Sequence, residues 1–130
     1  MKILIADDHE AVRHGIKSIL QAESDFEIVS EASDGIEAVE KSKQLKPDIL
    51  VTDLKMPKLN GIEVTERVRE SSPDTRIIIL SMYNSKTYVL GALNSGAMGY
   101  VIKKSSADGL TEAIRTVAGG KQYLSPGLET

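Results

Sequence analysis

The sequence contains no cysteine, no long apolar run and no large excess of one charge. Without cysteine, disulfides and thiolate chemistry are excluded. The longest fully aliphatic run, Ile77–Leu80, is far too short to span a bilayer. The residues after Met1 show no signal-peptide pattern, so we expect a cytoplasmic protein with no membrane partner. The 16 basic and 19 acidic residues give a formal charge of -3, which excludes a strong global attraction to nucleic acid.

The composition that remains is that of a globular domain. At 130 residues the chain is long enough for one full hydrophobic core. Its 41% apolar and 27% charged residues are typical of a soluble fold. No internal repeat, low-complexity stretch or long linker divides the sequence, so we expect a single domain.

Short apolar runs alternate five times with segments of helical periodicity. The predicted strands are 2–6, 26–32, 49–53, 76–80 and 98–102. A helix is predicted after each strand; cap candidates are Asn60, Asn84 or Ser85, and Ser106. This alternation predicts an α/β fold with a five-stranded parallel sheet and helices on both faces. The tail from 121 to 130 contains a Pro-Gly pair and no clear element.

Polar residues stand at the carboxyl ends of four of these strands. Asp7 and Asp8 end the first, Asp53 the third, Ser81 the fourth and Lys103 the fifth. The carboxyl ends of parallel strands lie on one edge of a sheet, where α/β folds bind their ligands. Singly, each residue has an ordinary alternative as a helix cap, a turn residue or a solvated side chain. Their common position favours one functional site.

Three carboxylates, a hydroxyl and an ammonium group are suited to phosphoryl transfer onto a carboxylate. Mg²⁺ prefers hard oxygen ligands and takes few of them from protein. The metal would neutralise phosphoryl charge, and Lys103 would add a second positive charge. Asp53 stands alone on a central strand, opposite the pair Asp7 and Asp8. It is therefore the candidate nucleophile, which would form an aspartyl phosphate.

On these residues the chain resembles the receiver domain of bacterial two-component response regulators. The resemblance extends over residues 2–120 and also rests on Met56-Pro57, Gly61 and Gly96-Ala97. It implies a doubly wound, flavodoxin-like (βα)5 fold. It also implies a switch module rather than an enzyme, which accepts a phosphoryl group from a sensor histidine kinase and dephosphorylates itself.

The resemblance implies a role for each site residue. Asp53 matches the phosphoacceptor, and Mg²⁺ would be held by Asp7, Asp8, Asp53 and the backbone carbonyl of Lys55.

Three further residues match the family's phosphoryl contacts and switch. Ser81 matches the hydroxyl residue that contacts the phosphoryl group, and Lys103 matches the lysine that pairs with it. Tyr100 matches the aromatic residue that forms a conformational switch together with Ser81.

Two segments are most similar to the NarL/FixJ (LuxR-type) subfamily of these regulators. They are Asp7-Asp8-His9 and the ending at 119–126. The resemblance implies a receiver domain at 1–120, with 121–130 as the start of an interdomain linker. A C-terminal helix-turn-helix domain, absent from this chain, would bind DNA, and phosphorylation would favour a homodimer.

Three other functions compete with this interpretation. A stand-alone receiver would act through protein contacts alone. A phosphatase of the haloacid-dehalogenase type would need a second aspartate two residues after Asp53, where this chain has Lys55. A flavodoxin-like cofactor module would need a phosphate loop, and the acidic segment 7–10 would repel phosphate. His9 and His14 lack the other ligands of a transition-metal site, and we expect both to face solvent.

Overall fold

Six parallel strands form one sheet in a computed structural model that describes residues 1–103 and 107–128. The strand order is β2-β1-β3-β4-β5-β6. The strands are β1 (Lys2–Ala6), β2 (Glu27–Ala32), β3 (Ile49–Asp53), β4 (Arg76–Ser81), β5 (Gly99–Ile102) and β6 (Tyr123–Leu124). The first five follow the flavodoxin-like order 2-1-3-4-5, so the predicted doubly wound fold is confirmed.

Five helices connect the strands. They are α1 (Glu10–Gln21), α2 (Gly35–Leu45), α3 (Gly61–Ser71), α4 (Lys86–Ser95) and α5 (Ala107–Ala118). Within the described ranges, no helix is long and apolar enough to cross a membrane.

Polar residues and a glycine mark the ends of these helices. Asn60 caps α3 in a capping box with Glu63. Ser85, rather than Asn84, caps α4, because its side chain accepts the amide N–H of Tyr88. Gly96 ends α4 at φ 110, a left-handed conformation that glycine adopts without strain. The predicted cap Ser106 lies outside the described residues.

Alternation of side chains along the strands divides the core into two layers. In β1, Leu4 packs into the layer beneath α2, α3 and α4, while Ile3 and Ile5 pack into the layer beneath α1 and α5. All five residues of β3 are buried, which is expected of a central parallel strand covered on both faces. Because helices cover both faces of the sheet, the polar residues at the strand ends meet at its carboxyl edge.

The tail is the main departure from the sequence prediction. We predicted five strands and no element after 120, but Tyr123–Leu124 forms β6 and pairs in parallel with β5. A two-residue strand has no periodicity that would reveal it in a sequence. Other differences are small: β2 begins at Glu27 rather than Phe26, and β4 extends to Ser81 rather than Leu80.

Candidate functional site

The carboxyl edge of the sheet brings Asp7, Asp53 and Lys103 into direct contact. The ammonium nitrogen of Lys103 lies 3.2 Å from Oδ2 of Asp7 and 3.1 Å from Oδ1 of Asp53. Asp7 is fully buried and Asp53 is 7% exposed. Buried carboxylates are costly unless a cation or hydrogen bonds compensate them, so this lysine stabilises the whole cluster.

Asp53 is held at the end of β3 by a close approach of α3. The amide of Leu54 donates to Oδ1 of Asp53 at 2.9 Å, and the amide of Gly61 donates to the carbonyl of Leu54 at 2.8 Å. A Cβ on residue 61 would lie 2.5 Å from the backbone oxygen of Asp53, which is closer than real contacts allow. Glycine at 61 therefore permits the start of α3 to pack on the strand that carries the carboxylate.

Asp7 and Asp8 are positioned by the turn between β1 and α1. Arg13 donates to the backbone oxygen of Asp7 at 2.7 Å, and the amide of His9 donates to Oδ1 of Asp7 at 2.9 Å. The Nδ1 atom of His9 lies 3.3 Å from Asp7 and 3.2 Å from Asp8. His14 is exposed, as predicted. His9 is also exposed, with its side chain at 67%, but we had not expected its contact with both carboxylates.

The pKa values of the central pair reflect their shared burial. Burial raises the pKa of Asp53 and the negative charge of Asp7 raises it further, against the opposing pull of Lys103. Burial alone would lower the pKa of Lys103, but the charges of Asp53 and Asp7 outweigh it and hold that pKa above its usual range. The lysine therefore keeps its positive charge at neutral pH, while burial and Asp7 make the negative charge of Asp53 less favourable.

This donor set fits a divalent cation. One ligand atom each from Asp7, Asp8, His9 and Asp53 lies within 4.8 Å of all the others. Asp8 and Lys55 line the same surface cleft. The three carboxylates of this group offer hard oxygen ligands of the kind that Mg²⁺ prefers.

Ser81 and Tyr100 meet through the backbone of Tyr83. The amide of Tyr83 donates to Oγ of Ser81 at 2.9 Å, and the Tyr100 hydroxyl donates to the carbonyl of Tyr83 at 2.6 Å. Ser81 and Tyr100 are fully buried. Among the described residues Ser81 makes no hydrogen bond to Asp53. The bridging role of Tyr83 was not predicted, because it uses backbone atoms only.

The wall beside the cleft is aromatic. Lys55 turns its side chain away from the carboxylates, donates to the Tyr88 hydroxyl at 2.9 Å and lies 4.7 Å from the centre of that ring. The rings of Tyr83 and Tyr88 are 5.2 Å apart, and Met82 next to them is 65% exposed. The loop after β4 therefore presents an apolar surface whose backbone is bonded to Ser81 and Tyr100.

Comparison with known proteins identifies the family of this chain. A family model described as the response regulator receiver domain matches residues 3–115. The chain belongs to this family. The interpretations as a phosphatase or a flavodoxin-like module are therefore set aside, and proteins of this family are regulators rather than enzymes in the usual sense.

Similar proteins place this receiver among the LuxR/NarL-type regulators. It is 44% identical to the oxygen regulatory protein NreC of Staphylococcus carnosus, over 100% of this chain and 60% of NreC. It is 40% identical to the transcriptional regulatory protein DegU of Brevibacillus brevis, over 97% of this chain and 53% of DegU. A crystal structure of a LuxR-family two-component response regulator from Aurantimonas sp. SI85-9A1 superimposes with a TM-score of 0.94 at 35% identity, covering 98% of this chain and 91% of that one. The chain thus spans little more than half the length of these two curated relatives.

Proposed function

We propose that this receiver accepts a phosphoryl group on Asp53 from a sensor histidine kinase and thereby controls a DNA-binding domain. The observation that carries the proposal is the buried carboxylate of Asp53, held 3.1 Å from the ammonium group of Lys103 and beside a second buried carboxylate, Asp7. A buried anion that has a fixed cation and metal-ligating neighbours is poised to act as a nucleophile toward an anionic phosphoryl group.

In this transfer one carboxylate oxygen of Asp53 forms a bond to phosphorus while the bond from phosphorus to the kinase histidine nitrogen breaks. The nitrogen keeps the bonding electron pair and, with a proton on the other ring nitrogen, leaves as neutral imidazole. Oδ1 is engaged by Leu54 and Lys103; in the described part of the chain Oδ2 accepts no hydrogen bond, and we assign it as the nucleophile.

Asp7, Asp8, Asp53 and the Lys55 carbonyl would hold Mg²⁺, which when bound offsets the negative charge of the incoming phosphoryl group. Lys103 already lies between Asp7 and Asp53. It can turn from these carboxylates to a phosphoryl oxygen, where a charge-assisted hydrogen bond forms. Subsequent hydrolysis by water, which restores the carboxylate and releases inorganic phosphate, would account for self-dephosphorylation.

Ser81 and Tyr100 would convert the modification into a change of surface. The Ser81 oxygen now accepts the amide of Tyr83, and its own hydroxyl proton can be donated to the phosphoryl group. Each hydrogen bond to a charged group contributes roughly 1.5–3 kcal/mol. Shifting a switch from 1:99 to 99:1 needs about 5.5 kcal/mol of differential binding. The two bonds from Ser81 and Lys103 give roughly 3–6 kcal/mol, which reaches the required value only at the top of that range. Below that limit Mg²⁺ or dimerisation would supply the remainder.

The output of the switch follows from the relatives. NreC and DegU are regulatory proteins longer than this chain. We therefore assign 1–120 as the receiver domain and 121–130 as the start of a linker toward a helix-turn-helix domain, with part of that linker paired to the receiver sheet as β6. Phosphorylation would favour a homodimer in the cytoplasm and, through that domain, DNA binding.

The phosphoacceptor is tested by labelling with acetyl phosphate and Mg²⁺, followed by intact-mass measurement. Asp53→Asn should abolish labelling, because an amide oxygen is not a competent nucleophile here. Asp34→Asn is the matched control: Asp34 caps α2, asparagine is an equally good cap, and labelling should be unchanged. Full labelling of Asp53→Asn at another residue would show that the assignment is wrong.

A further inference from the structure

The segment after α5 is bound to the strand that leads into the site. Tyr123 and Leu124 of β6 pair in parallel with Gly99 and Tyr100 of β5. We call residues 123–128 the terminal clasp. Its backbone continues the ladder beyond β6, because the amide of Ser125 donates to the carbonyl of Tyr100 at 3.0 Å.

At Ser125 the side-chain hydroxyl, rather than a backbone carbonyl, accepts the next hydrogen bond from β5. The amide of Ile102 donates to Oγ of Ser125 at 2.9 Å. In a continuing parallel strand a backbone carbonyl would accept this amide. The carbonyl of Ser125 instead accepts the amide of Leu128 at 3.1 Å. Ser125 is only 2% exposed, so its hydroxyl is a buried member of the sheet's hydrogen-bond ladder.

The residues after Ser125 explain why its hydroxyl, and not its carbonyl, accepts the amide of Ile102. Pro126 cannot donate a backbone hydrogen bond, and Gly127 has a φ of 91. Proline followed by glycine with positive φ is the signature of a type II turn, which here reverses the chain. The turn returns Leu128 to the core layer that contains Tyr100, and Leu124 packs there too. Turn and packing together hold the serine hydroxyl against β5.

The Ser125 hydroxyl binds the backbone of Ile102, the residue that precedes Lys103 of the site. Ile102 is bound by Ser125 on the β6 side, and the amide of Lys103 donates to the carbonyl of Ser81 on the β4 side at 2.8 Å. β5 has only four residues, so few other backbone bonds fix its carboxyl end. We propose that Ser125 is a positioning residue for Lys103. The proposal rests on the proposed function, because it assumes that Lys103 assists phosphoryl acceptance by Asp53.

Linkage makes the effect reciprocal. If the clasp holds Lys103 in place for phosphoryl binding, a phosphoryl group that binds Lys103 must tighten the clasp by the same factor. The state of Asp53 is thereby reported through β5 to the chain beyond residue 125.

The first test compares Ser125→Ala with Ser72→Ala in the 130-residue chain. Ser72 is also a buried serine, 1% exposed, and its hydroxyl lies 2.6 Å from that of Thr75, far from the strand ends that carry the site. The rate of labelling by acetyl phosphate with Mg²⁺ is corrected for the folded fraction. We expect a roughly two- to tenfold drop in Ser125→Ala, as one lost hydrogen bond implies, and no drop in Ser72→Ala. Ser125→Thr keeps the hydroxyl and should restore the rate.

The outcomes separate this inference from the proposed function. Absence of wild-type labelling would contradict both proposals. Wild-type labelling with an equal corrected rate in Ser125→Ala, or equal losses in both alanine variants, would overturn the role of Ser125 alone.

A second measurement needs no variant. Beryllofluoride, a phosphoryl mimic, is added with Mg²⁺ to the wild-type chain, and amide hydrogen exchange is followed by NMR. Exchange of the Ile102 amide should slow, whereas that of the Thr75 amide, bonded to the carbonyl of Ser72, should not. Unchanged exchange at Ile102 in the beryllofluoride complex would contradict the coupling, even if Ser125→Ala failed to fold.

Discussion

Replacing Lys103 by methionine would test how the site is balanced electrostatically. Methionine keeps much of the length of the side chain but removes the charge that lies between Asp7 and Asp53. Two buried carboxylates would then face each other without a cation. We therefore expect Lys103→Met to destabilise the metal-free protein at neutral pH, although no residue of the hydrophobic core is changed.

The magnitude follows from burial. Removing one partner of a fully buried ion pair costs roughly 3–5 kcal/mol. The Lys103 side chain is 19% exposed, so solvent screens part of the charge. We therefore expect a loss of about 2–3 kcal/mol in the free energy of unfolding, at or just below the lower end of that buried range. Lys58→Met, which removes a 59% exposed lysine 3.4 Å from Asp34, should cost about 1 kcal/mol or less.

The pH dependence has a definite sign. The pKa of Asp53 is raised in the folded protein, chiefly by burial and next by the charge of Asp7. A raised carboxyl pKa favours the folded state at low pH, and this contribution is lost as pH rises from the unfolded pKa of about 3.9 through the folded one. Without Lys103 the pKa of Asp53 should rise further. The deficit of Lys103→Met should therefore shrink as the pH is lowered toward the folded pKa, because protonation neutralises Asp53.

The assay is urea unfolding with excess EDTA and with saturating Mg²⁺. A bound cation replaces the missing ammonium charge, so Mg²⁺ should stabilise Lys103→Met more than it stabilises the wild type. Equal stability of wild type and Lys103→Met in EDTA would refute the electrostatic account. A deficit that does not change with Mg²⁺ would show that the metal and the lysine do not act on the same carboxylates.

Two further predictions concern the elements around the site. Gly61→Ala would place a Cβ 2.5 Å from the backbone oxygen of Asp53; it should cost roughly 1–3 kcal/mol in urea unfolding and slow labelling by acetyl phosphate. Wild-type values of both would contradict the close approach. Tyr100→Phe removes the hydrogen bond to the Tyr83 carbonyl, so beryllofluoride should produce smaller NMR shifts in the loop after β4, and wild-type shifts there would exclude Tyr100 from the switch.

The sequence was sufficient for the architecture and for the acidic centre of the site. Five apolar runs of strand length separated by helical periodicity determine a parallel sheet, and a parallel sheet determines which residues share an edge. Asp7, Asp53 and Lys103 were predicted to converge on this reasoning alone, and the structure places them in contact. The order and direction of the strands were thus enough to predict the position of a site residue wherever that residue stands at the end of a strand.

Features that depend on tertiary hydrogen bonds were not predictable. The two-residue β6 exists because Ser125 and the turn after it bind β5, which no local pattern encodes. Tyr83 joins Ser81 to Tyr100 through its amide and carbonyl, which every residue except proline possesses. The contact of His9 with Asp7 and Asp8 depends on the turn between β1 and α1, which no local pattern of the sequence encodes.

The presence of β6 also bears on solubility. Because β6 covers β5, the strand Gly99–Ile102 is interior, and its apolar residues and backbone amides are protected. In a receiver ending at Gly120, β5 would become an edge strand with unpaired amides on an apolar segment, the arrangement that invites strand addition by another chain. We expect such a shortened receiver to self-associate nonspecifically, which light scattering would detect. A short tail can thus keep a sheet monomeric by occupying the position that a neighbouring molecule would otherwise take.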